Sequence, residues 1–353
     1  MRGHIVKRYK SSWSIVLDLS RDPATGNRRQ QWVAVKGTKK DAERKLSELL
    51  HQVDTGGFMK PHKMTVGEFL RRWLRDYAQD QVRPRTMEGY QERARHLIEA
   101  LGNISLSELR PDHLQGYYAS KLSGQRRDGK GGGLSPGTLI KRHNLIREAL
   151  AHAVKWGFLG RNVAEAVDPP RPSRQEMRAL TAEEAHHLLE SCPRTPWYPI
   201  FHTLIWTGLR RSELLGLRWR DVDLDLATLR VVQVLHQLRD GPFLIQEPKT
   251  AKGRRAVSLS PASCLLLRAH REHQEADAEF LGVPIRGDTL VFGHIDGTPR
   301  PPCTLTSTFK KFARRVGLED VRLHDLRHTH ASLLLQQGVH PKVVSERLGH
   351  ASI

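Results

Sequence analysis

Two basic segments more than a hundred residues apart carry the side chains best suited to chemistry. Residues 207–210 read Thr-Gly-Leu-Arg, and residues 324–328 read His-Asp-Leu-Arg-His. A guanidinium group matches two non-bridging oxygens of a phosphodiester and stays charged at any working pH. Two arginines and a histidine, with Lys249 between them in the sequence, could therefore grip a phosphodiester without a metal ion.

The charge balance indicates a polyanionic partner. The chain has 57 Lys and Arg against 38 Asp and Glu, a formal net charge of +19, and a pI of about 10.2. Residues 1–60, 61–173 and 174–353 are each separately basic. We therefore expect DNA or RNA to lie along the whole molecule. The alternative is a solvated basic surface that only aids solubility.

Cysteine usage and hydropathy limit the compartment and the cofactors. Cys192, Cys264 and Cys303 lie far apart without paired spacing, which indicates a reducing compartment and no cysteine-based zinc site. No apolar run approaches the ~20 residues of a membrane span, and no hydrophobic signal region follows Met1. We expect a cytoplasmic protein with no cofactor and no membrane contact.

Hydrophobic periodicity and turn residues divide the chain into three regions and a linker. Residues 1–60 predict a small α+β domain, residues 61–168 an all-α bundle, and residues 176–353 a mixed α/β, mainly helical domain. Residues 169–175 form the linker, because proline resists helix formation and lacks a backbone donor. The fold class is therefore multidomain.

Local signals predict individual elements. Cap residues mark helix starts, at Thr38, Thr65, Ser135 and Thr181. Strand-like runs occur at 13–19, 31–35, 228–235, 243–246 and 255–259, with a turn expected at 22–27 and a polar loop at 123–133. A long polar helix is expected over about 261–280.

Taken jointly, the basic segments resemble the motifs of the tyrosine recombinase family, the phage-integrase type. Arg210 matches the family's first arginine, and His324 and Arg327 match its His-x-x-Arg box. The run 348–350, Leu-Gly-His, resembles the third box and ends in His350. Lys249 stands where the family has a β-hairpin lysine, although Lys252 in the same basic turn is an alternative.

The resemblance implies an activity and its partners. Such proteins cut and rejoin DNA at paired attachment-type sites by metal-free transesterification through a 3′-phosphotyrosine intermediate. They work as homotetramers on DNA, in some cases with accessory DNA-bending proteins, in the cytoplasm of bacteria or phage hosts. The small N-terminal region is similar to their arm-binding module, and the helical bundle to their core-binding domain.

The resemblance also assigns roles to the catalytic residues. Arg210, Arg327, His324 and His350 would stabilise charge on the phosphate oxygens. Preorganised donors of this kind contribute about 2.7–4 kcal/mol each. Lys249 would protonate the leaving 5′ oxygen, a task for a mobile proton donor. Taken alone, Arg210 could also be a surface residue paired with Glu213, which we expect to be structural.

The nucleophile is the point at which this sequence departs from the family pattern. The family's tyrosine follows the Leu-Gly-His box by nine or ten residues, whereas Ala351, Ser352 and Ile353 complete the sequence. No other tyrosine lies near that position, so the chain as given is expected not to cleave alone. An incomplete reading frame, a deliberate shortening and a decayed gene are the three explanations considered.

Basic clusters suggest further DNA contacts. Phosphate contacts position a protein on the duplex, and contacts to bases cannot be chosen from sequence. The candidate phosphate contacts are Arg83, Arg85, Lys141, Arg142, Arg254 and Arg255. The N-terminal region could bind DNA or protein.

Two other functions compete with recombination. A DNA-binding protein without catalysis would bind a specific sequence with steep salt dependence. A metal-dependent nuclease is suggested by His324, His328 and His330, but their spacing does not place all three on one helix face.

Overall fold

The computed structural model describes residues 3–9, 11–19, 29–54, 63–124, 131–172, 177–192, 195–239 and 241–349. The chain divides into two compact units, Met1–Ser173 and Arg174–Ile353. The predicted turn at 22–27 and part of the predicted loop at 123–133 lie outside the described residues. Within the described residues, no helix is long and apolar enough to span a membrane.

The first unit begins with an antiparallel sheet and one helix. The sheet has the order β1 (Gly3–Tyr9), β2 (Ser12–Leu19) and β3 (Arg29–Lys36), and α1 (Lys39–Asp54) follows. Ile15, Leu17 and Leu49 form the small core between sheet and helix. Strand β1 was not predicted, because its polar and apolar residues do not alternate cleanly.

The first unit continues as a helical bundle with its own core. Its helices are α2 (Val66–Trp73), α3 (Gln79–Gln81), α4 (Pro84–Leu101), α5 (Pro111–Ser123) and α6 (Pro136–Lys155), with a π-helical turn at Leu74–Ala78. Thr65 and Glu68 form the predicted capping box, and Ser135 caps α6 as predicted. Trp73, Tyr118 and Phe69 are fully buried. The aromatic residues make this core large for a short bundle.

The second unit is mixed α/β and mainly helical. Its elements are α7 (Ala182–Glu190), α8 (Tyr198–Thr207), α9 (Arg211–Leu215), β4 (Val222–Asp223), β5 (Thr228–Val231), β6 (Val234–Gln237), β7 (Phe243–Gln246), β8 (Arg255–Ser258), α10 (Pro261–Phe280), α11 (Pro302–Arg315), α12 (Asp325–Gln336) and α13 (Pro341–Leu348). Strands β4, β5 and β8 form one antiparallel sheet, and β6 with β7 forms a separate hairpin.

Helix α8 is the apolar centre of the second unit. It packs against α7, α10 and α12, and Phe201 meets Phe309 of α11 edge to face at 5.3 Å between ring centroids. Because α8 ends at Thr207, the core places the first arginine segment directly at the end of a buried helix. Thr329 of α12 accepts a hydrogen bond from the backbone N–H of Leu180 at 2.9 Å and so fixes α12 against the start of the unit.

The prediction of one strand over 228–235 was wrong in one respect. The structure breaks this run at residues 232 and 233 into β5 and β6, which belong to different sheets. At the break, the side-chain amide of Gln233 donates to the carbonyl of Gly216 at 2.8 Å. A contact seventeen residues away in sequence therefore interrupts a run with uniform strand propensity.

Candidate active site

Arg210 is held at the start of α9 by a buried carboxylate. Its backbone N–H and its Nη1 donate to the two oxygens of Glu213, at 2.8 and 2.7 Å. Glu213 is 3% exposed, whereas the Arg210 side chain is 38% exposed. The carboxylate therefore anchors one edge of a guanidinium whose other edge is open to a ligand.

Arg255 of β8 completes the ion pair from the other side. Its Nη1 and Nη2 donate to Glu213 Oε1 and Oε2 at 3.1 and 2.9 Å, in the two-pronged geometry that suits a carboxylate. Burial alone would raise the pKa of Glu213, but its hydrogen bonds and the charges of Arg255 and then Arg210 hold that pKa below the ordinary value. Glu213 is thus a buried anion shared by two arginines.

Arg327 lies deeper than Arg210. It is 3% exposed, its Nη1 donates to the Gly208 carbonyl at 2.7 Å, and its Nη2 donates to the Leu348 carbonyl. Burial, followed by the charge of Arg210, lowers the pKa of Arg327 to about 9. Arg327 therefore remains a cation at neutral pH, and the repulsion between the two arginines favours an anion beside them.

The carboxyl end of α13 is where the buried arginines converge. The carbonyls of Arg347, Leu348 and Gly349 each accept from a different arginine. Arg255 Nε binds the first at 2.6 Å and Arg210 Nη2 approaches the third at 3.5 Å. The last carbonyls of a helix have no partners within the helix and carry partial negative charge, so cations stabilise them.

Two glycines allow these elements to approach closely. Gly208 ends α8 with φ of 66°, and a Cβ there would stand 2.6 Å from Leu348 Cδ2 and 2.7 Å from His330 Cδ2. Gly349 ends α13 with φ of 66°, and a Cβ there would stand 2.8 Å from the Lys252 carbonyl. Both positions need a left-handed backbone and a missing side chain, which only glycine provides without strain.

His324 faces the arginines from the start of α12. Partial desolvation, followed by the charges of His328 and Arg327, lowers its pKa, and its ring lies 5.1 Å from the His328 ring in an edge-to-face arrangement. A neutral imidazole at pH 7 can accept a proton or a hydrogen bond. Asp325 fixes the turn, since its carboxylate accepts from the backbone and side chain of Arg322.

The comparisons with known proteins agree on one family. The model of the phage integrase family matches residues 178–353, and that of the phage integrase N-terminal SAM-like domain matches residues 65–122. A tyrosine recombinase XerC-like protein of Caldanaerobacter subterraneus subsp. tengcongensis is 28% identical over 371 residues, covering 100% of this chain and 92% of that protein. The ICEBs1 integrase of Bacillus subtilis is 34% identical over 203 residues, 57% of this chain and 55% of its own length.

The chain belongs to the phage integrase family. Its activity class is therefore site-specific recombination of the tyrosine recombinase type. Solved structures support the fold: the Tn1549 transposon integrase with a circular intermediate DNA has a TM-score of 0.68 at 20% identity, covering 82% of this chain and 92% of its own. A lambda integrase dimer bound to a core site has a TM-score of 0.60 at 17% identity, covering 99% and 91%. A lambda integrase tetramer bound to a Holliday junction has a TM-score of 0.59 at 17% identity, covering 99% and 95%.

Of the residues matched to the family's catalytic motifs, the structure brings Arg210, His324 and Arg327 together. Lys249 is exposed in the segment between β7 and β8, and among the described contacts none joins its side chain to Arg210 or Arg327. The Lys252 backbone lies against Gly349. His350 lies outside the described residues. The choice between the two lysines therefore remains a prediction.

The candidate DNA contacts divide into exposed and buried side chains. Lys141, Arg85 and Arg254 are exposed, and Arg83 is partly exposed. Arg142 is 6% exposed and donates to the Tyr117 hydroxyl at 2.7 Å. Arg142 is buried, and Arg255 donates to Glu213 and to the Arg347 carbonyl, so neither presents an exposed cation, and their contacts with phosphate stay predictions.

Sequence reasoning missed the role of Arg347 and His330. Arg347 Nε donates to His330 Nε2 at 2.9 Å, and the buried ring of His330 is held neutral because burial, followed by Arg347, lowers its pKa to about 4. His330 entered the sequence argument only as a possible metal ligand, and its Nε2 is instead engaged by an arginine. Within the described ranges, no His, Cys, Asp or Glu cluster has the arrangement of a metal site. Nothing in the sequence His-Thr-His at 328–330 predicts this contact.

Proposed function

We propose that this protein cuts and rejoins double-stranded DNA at specific sites by metal-free transesterification through a 3′-phosphotyrosine intermediate. The observation that carries the proposal is the convergence of Arg210 and Arg327 at the end of α13. The arrangement combines a partly exposed guanidinium on Arg210 with a buried cation at Arg327, and the charges of both act on the His324 imidazole. A phosphorane-like state concentrates negative charge that such donors stabilise.

The proposed division of labour follows from the chemistry of each side chain. Arg210 and Arg327 bind the non-bridging oxygens of the scissile phosphate. His324 holds the phosphate or assists proton removal from the nucleophile, because its lowered pKa keeps it neutral at pH 7. Lys249 protonates the leaving 5′ oxygen, and His350 adds a phosphate contact. The family's tyrosine stands nine or ten residues after His350, so the reaction is proposed for the protein that carries it.

Partners and location are proposed on the same basis. The net charge of +19 suits a duplex DNA partner, and related integrases have been solved on core-site and Holliday-junction DNA, in one case as a tetramer. We propose that this protein likewise acts as a homotetramer on attachment-type DNA in the cytoplasm. Arg83, Arg85, Lys141 and Arg254 are its proposed phosphate contacts, and accessory DNA-bending proteins are proposed partners. The N-terminal sheet and α1 are proposed to bind separate arm sites.

The decisive experiment begins by reading the source DNA past codon 353. The DNA site is selected from a random duplex library, and the complete gene product is mixed with it in excess chelator. We expect a covalent protein–DNA adduct that survives denaturation. Arg210→Lys should reduce its formation by about 10²–10³-fold, as removal of a preorganised donor does. The matched control Arg268→Lys changes an exposed arginine that pairs with Asp225, and should leave the rate unchanged.

Each other outcome identifies a different function. Specific binding without an adduct from a product that carries the tyrosine would favour a DNA-binding protein without catalysis. The same result would follow from a stop codon directly after codon 353. Cleavage that chelator abolishes would favour a metal-dependent nuclease.

A further inference from the structure

Arg347 joins the last turn of α13 to three other elements of the second unit. Its Nε donates to His330 of α12 at 2.9 Å, and its Nη2 donates to the Ser258 carbonyl at 2.8 Å. Longer contacts of 3.4 Å lead to the Trp206 carbonyl and to the Ser258 hydroxyl. These bonds reach α8, α12 and the end of β8. Arg210 follows α8 by three residues, whereas α12 and β8 carry Arg327 and Arg255.

The partners of Arg347 in this network are all neutral. Two are backbone carbonyls, one is a hydroxyl, and one is the ring of His330, which bonds the Ile205 carbonyl through its other nitrogen. A neutral ring with one donor and one acceptor fits between a carbonyl and an arginine, whereas a charged ring would be a second donor facing Arg347. A histidine at position 330 therefore suits a place between Arg347 and the backbone of Ile205.

Arg347 also directly precedes the two residues whose backbone carbonyls belong to the candidate active site. The next two residues, Leu348 and Gly349, present the carbonyls that Arg327 and Arg210 bind, and the following residue belongs to the third family box. A shift of α13 would move both carbonyls away from their arginines. A misplacement of about 1 Å can cost about 10²-fold in rate.

We propose that Arg347, seated against the ring of His330, is a positioning residue that fixes α13 and so aligns Arg210 and Arg327 on the phosphate. Arg347 itself does not touch DNA. The catalytic rate depends on it, and the affinity for DNA does not. This inference rests on the proposed function.

The test uses the 353-residue chain with its selected DNA duplex and hydrogen peroxide as the attacking nucleophile. The peroxide oxygen bonds to phosphorus while the 5′ oxygen leaves with a proton, so the assay measures phosphate activation without a tyrosine. We expect Arg347→Gln to lower the nicking rate at saturating DNA at least tenfold with the DNA Kd within twofold. Arg347→Lys should restore part of the rate, because it keeps the charge.

Variants at the ring distinguish positioning from folding. His330→Gln keeps an acceptor for Arg347 Nε and should nick faster than His330→Ala. Arg268→Gln, which removes an arginine bonded to the Leu224 carbonyl at 3.1 Å, is the control and should nick like the unsubstituted chain. Hydrogen exchange over 341–349 should accelerate in Arg347→Gln, with exchange in the helical bundle unchanged.

Three results would overturn the proposal. The first is a nicking rate in Arg347→Gln equal to that of Arg268→Gln. The second is a loss of rate that only follows a loss of folded protein or of DNA binding. The third is unchanged hydrogen exchange over 341–349 in Arg347→Gln, which would refute the anchoring of α13. If the unsubstituted chain binds its DNA duplex but does not nick it, the proposed function fails instead.

Discussion

The helical bundle and the second unit bury different kinds of residue. In the described part of the bundle, the buried arginine is Arg142, whose partner is the neutral hydroxyl of Tyr117. The second unit buries Arg327, Glu213 and the side chain of Arg255 in one connected group. The bundle has the composition of a packing core, whereas the second unit encloses charges that a packing core would exclude.

The difference shows where function limits stability. Burying a charge costs free energy unless it is paired and hydrogen-bonded, and an apolar replacement of a buried ion pair is often as stable. The second unit tolerates this cost at the convergence of its arginines, where a phosphate is proposed to bind. The bundle has no comparable group of paired buried charges among its described residues.

The largest expected contrast between the two units concerns a glutamate three residues after an arginine. Glu213→Gln removes a buried anion shared by Arg210 and Arg255, which leaves two cations uncompensated. We expect the free energy of unfolding of the second unit to fall by about 3–5 kcal/mol at pH 7. Urea denaturation followed by hydrogen exchange, which resolves the two units, measures it.

The matched control and the pH profile sharpen this contrast. Glu88→Gln removes the equivalent partner of Arg85, whose side chain is 55% exposed, and should change stability by less than about 1 kcal/mol. Because the pKa of Glu213 is lowered in the folded state, its stabilisation is complete above the ordinary value of 4.5 and is lost as pH falls through the folded value. Equal losses at 213 and 88 would contradict the distinction between the units.

A smaller contrast with opposite signs is expected for two glycines. Gly208→Ala places a Cβ against Leu348 and His330 on a left-handed backbone, and should destabilise the second unit by about 1–3 kcal/mol. Gly116→Ala lies within α5 with open space around its Cβ, and should stabilise the bundle by about 0.5–1 kcal/mol. Thermal unfolding of both variants measures the sign of each change in stability. If Gly208→Ala is as stable as the unsubstituted chain, the close approach at Gly208 is not needed to form the site.

The smallest expected effect separates two adjacent cations in α6. Lys141 is exposed, so Lys141→Gln should reduce the slope of log K against log salt for DNA binding by about 1. Arg142 is buried, so Arg142→Gln should leave that slope unchanged and lower the stability of the bundle. Binding titrations at several salt concentrations, with the midpoint of unfolding recorded for each variant, decide it. A slope that changes only in Arg142→Gln would reverse the assignment.

Sequence reasoning succeeded where the determining contacts are local. The capping box of Thr65 and Glu68, the cap at Ser135 and the helix Pro261–Phe280 all depend on residues within a few positions or on helical periodicity. The arginine segments were found because their residue types are unusual together. The pairing of Glu213 with Arg210 was also foreseen, since the two residues are three positions apart.

The rest depends on contacts between distant segments, which a single sequence does not encode locally. Arg254 and Arg255 are alike in sequence, yet one is exposed and the other meets Glu213 across 42 positions. The burial of Arg142 was missed for the same reason, because its partner Tyr117 lies 25 positions away. The link of Arg347 to Ser258 spans 89 positions and left no pattern.

The convergence of arginines at the end of α13 has a consequence for how the sequence can change over time. The acceptors there are main-chain carbonyls, which every amino acid carries. Substitution at 347, 348 or 349 can alter packing or the turn, but it cannot delete the oxygen that an arginine binds. These three carbonyl partners cannot be removed by a point mutation, whereas the Glu213 carboxylate that Arg210 and Arg255 share can be.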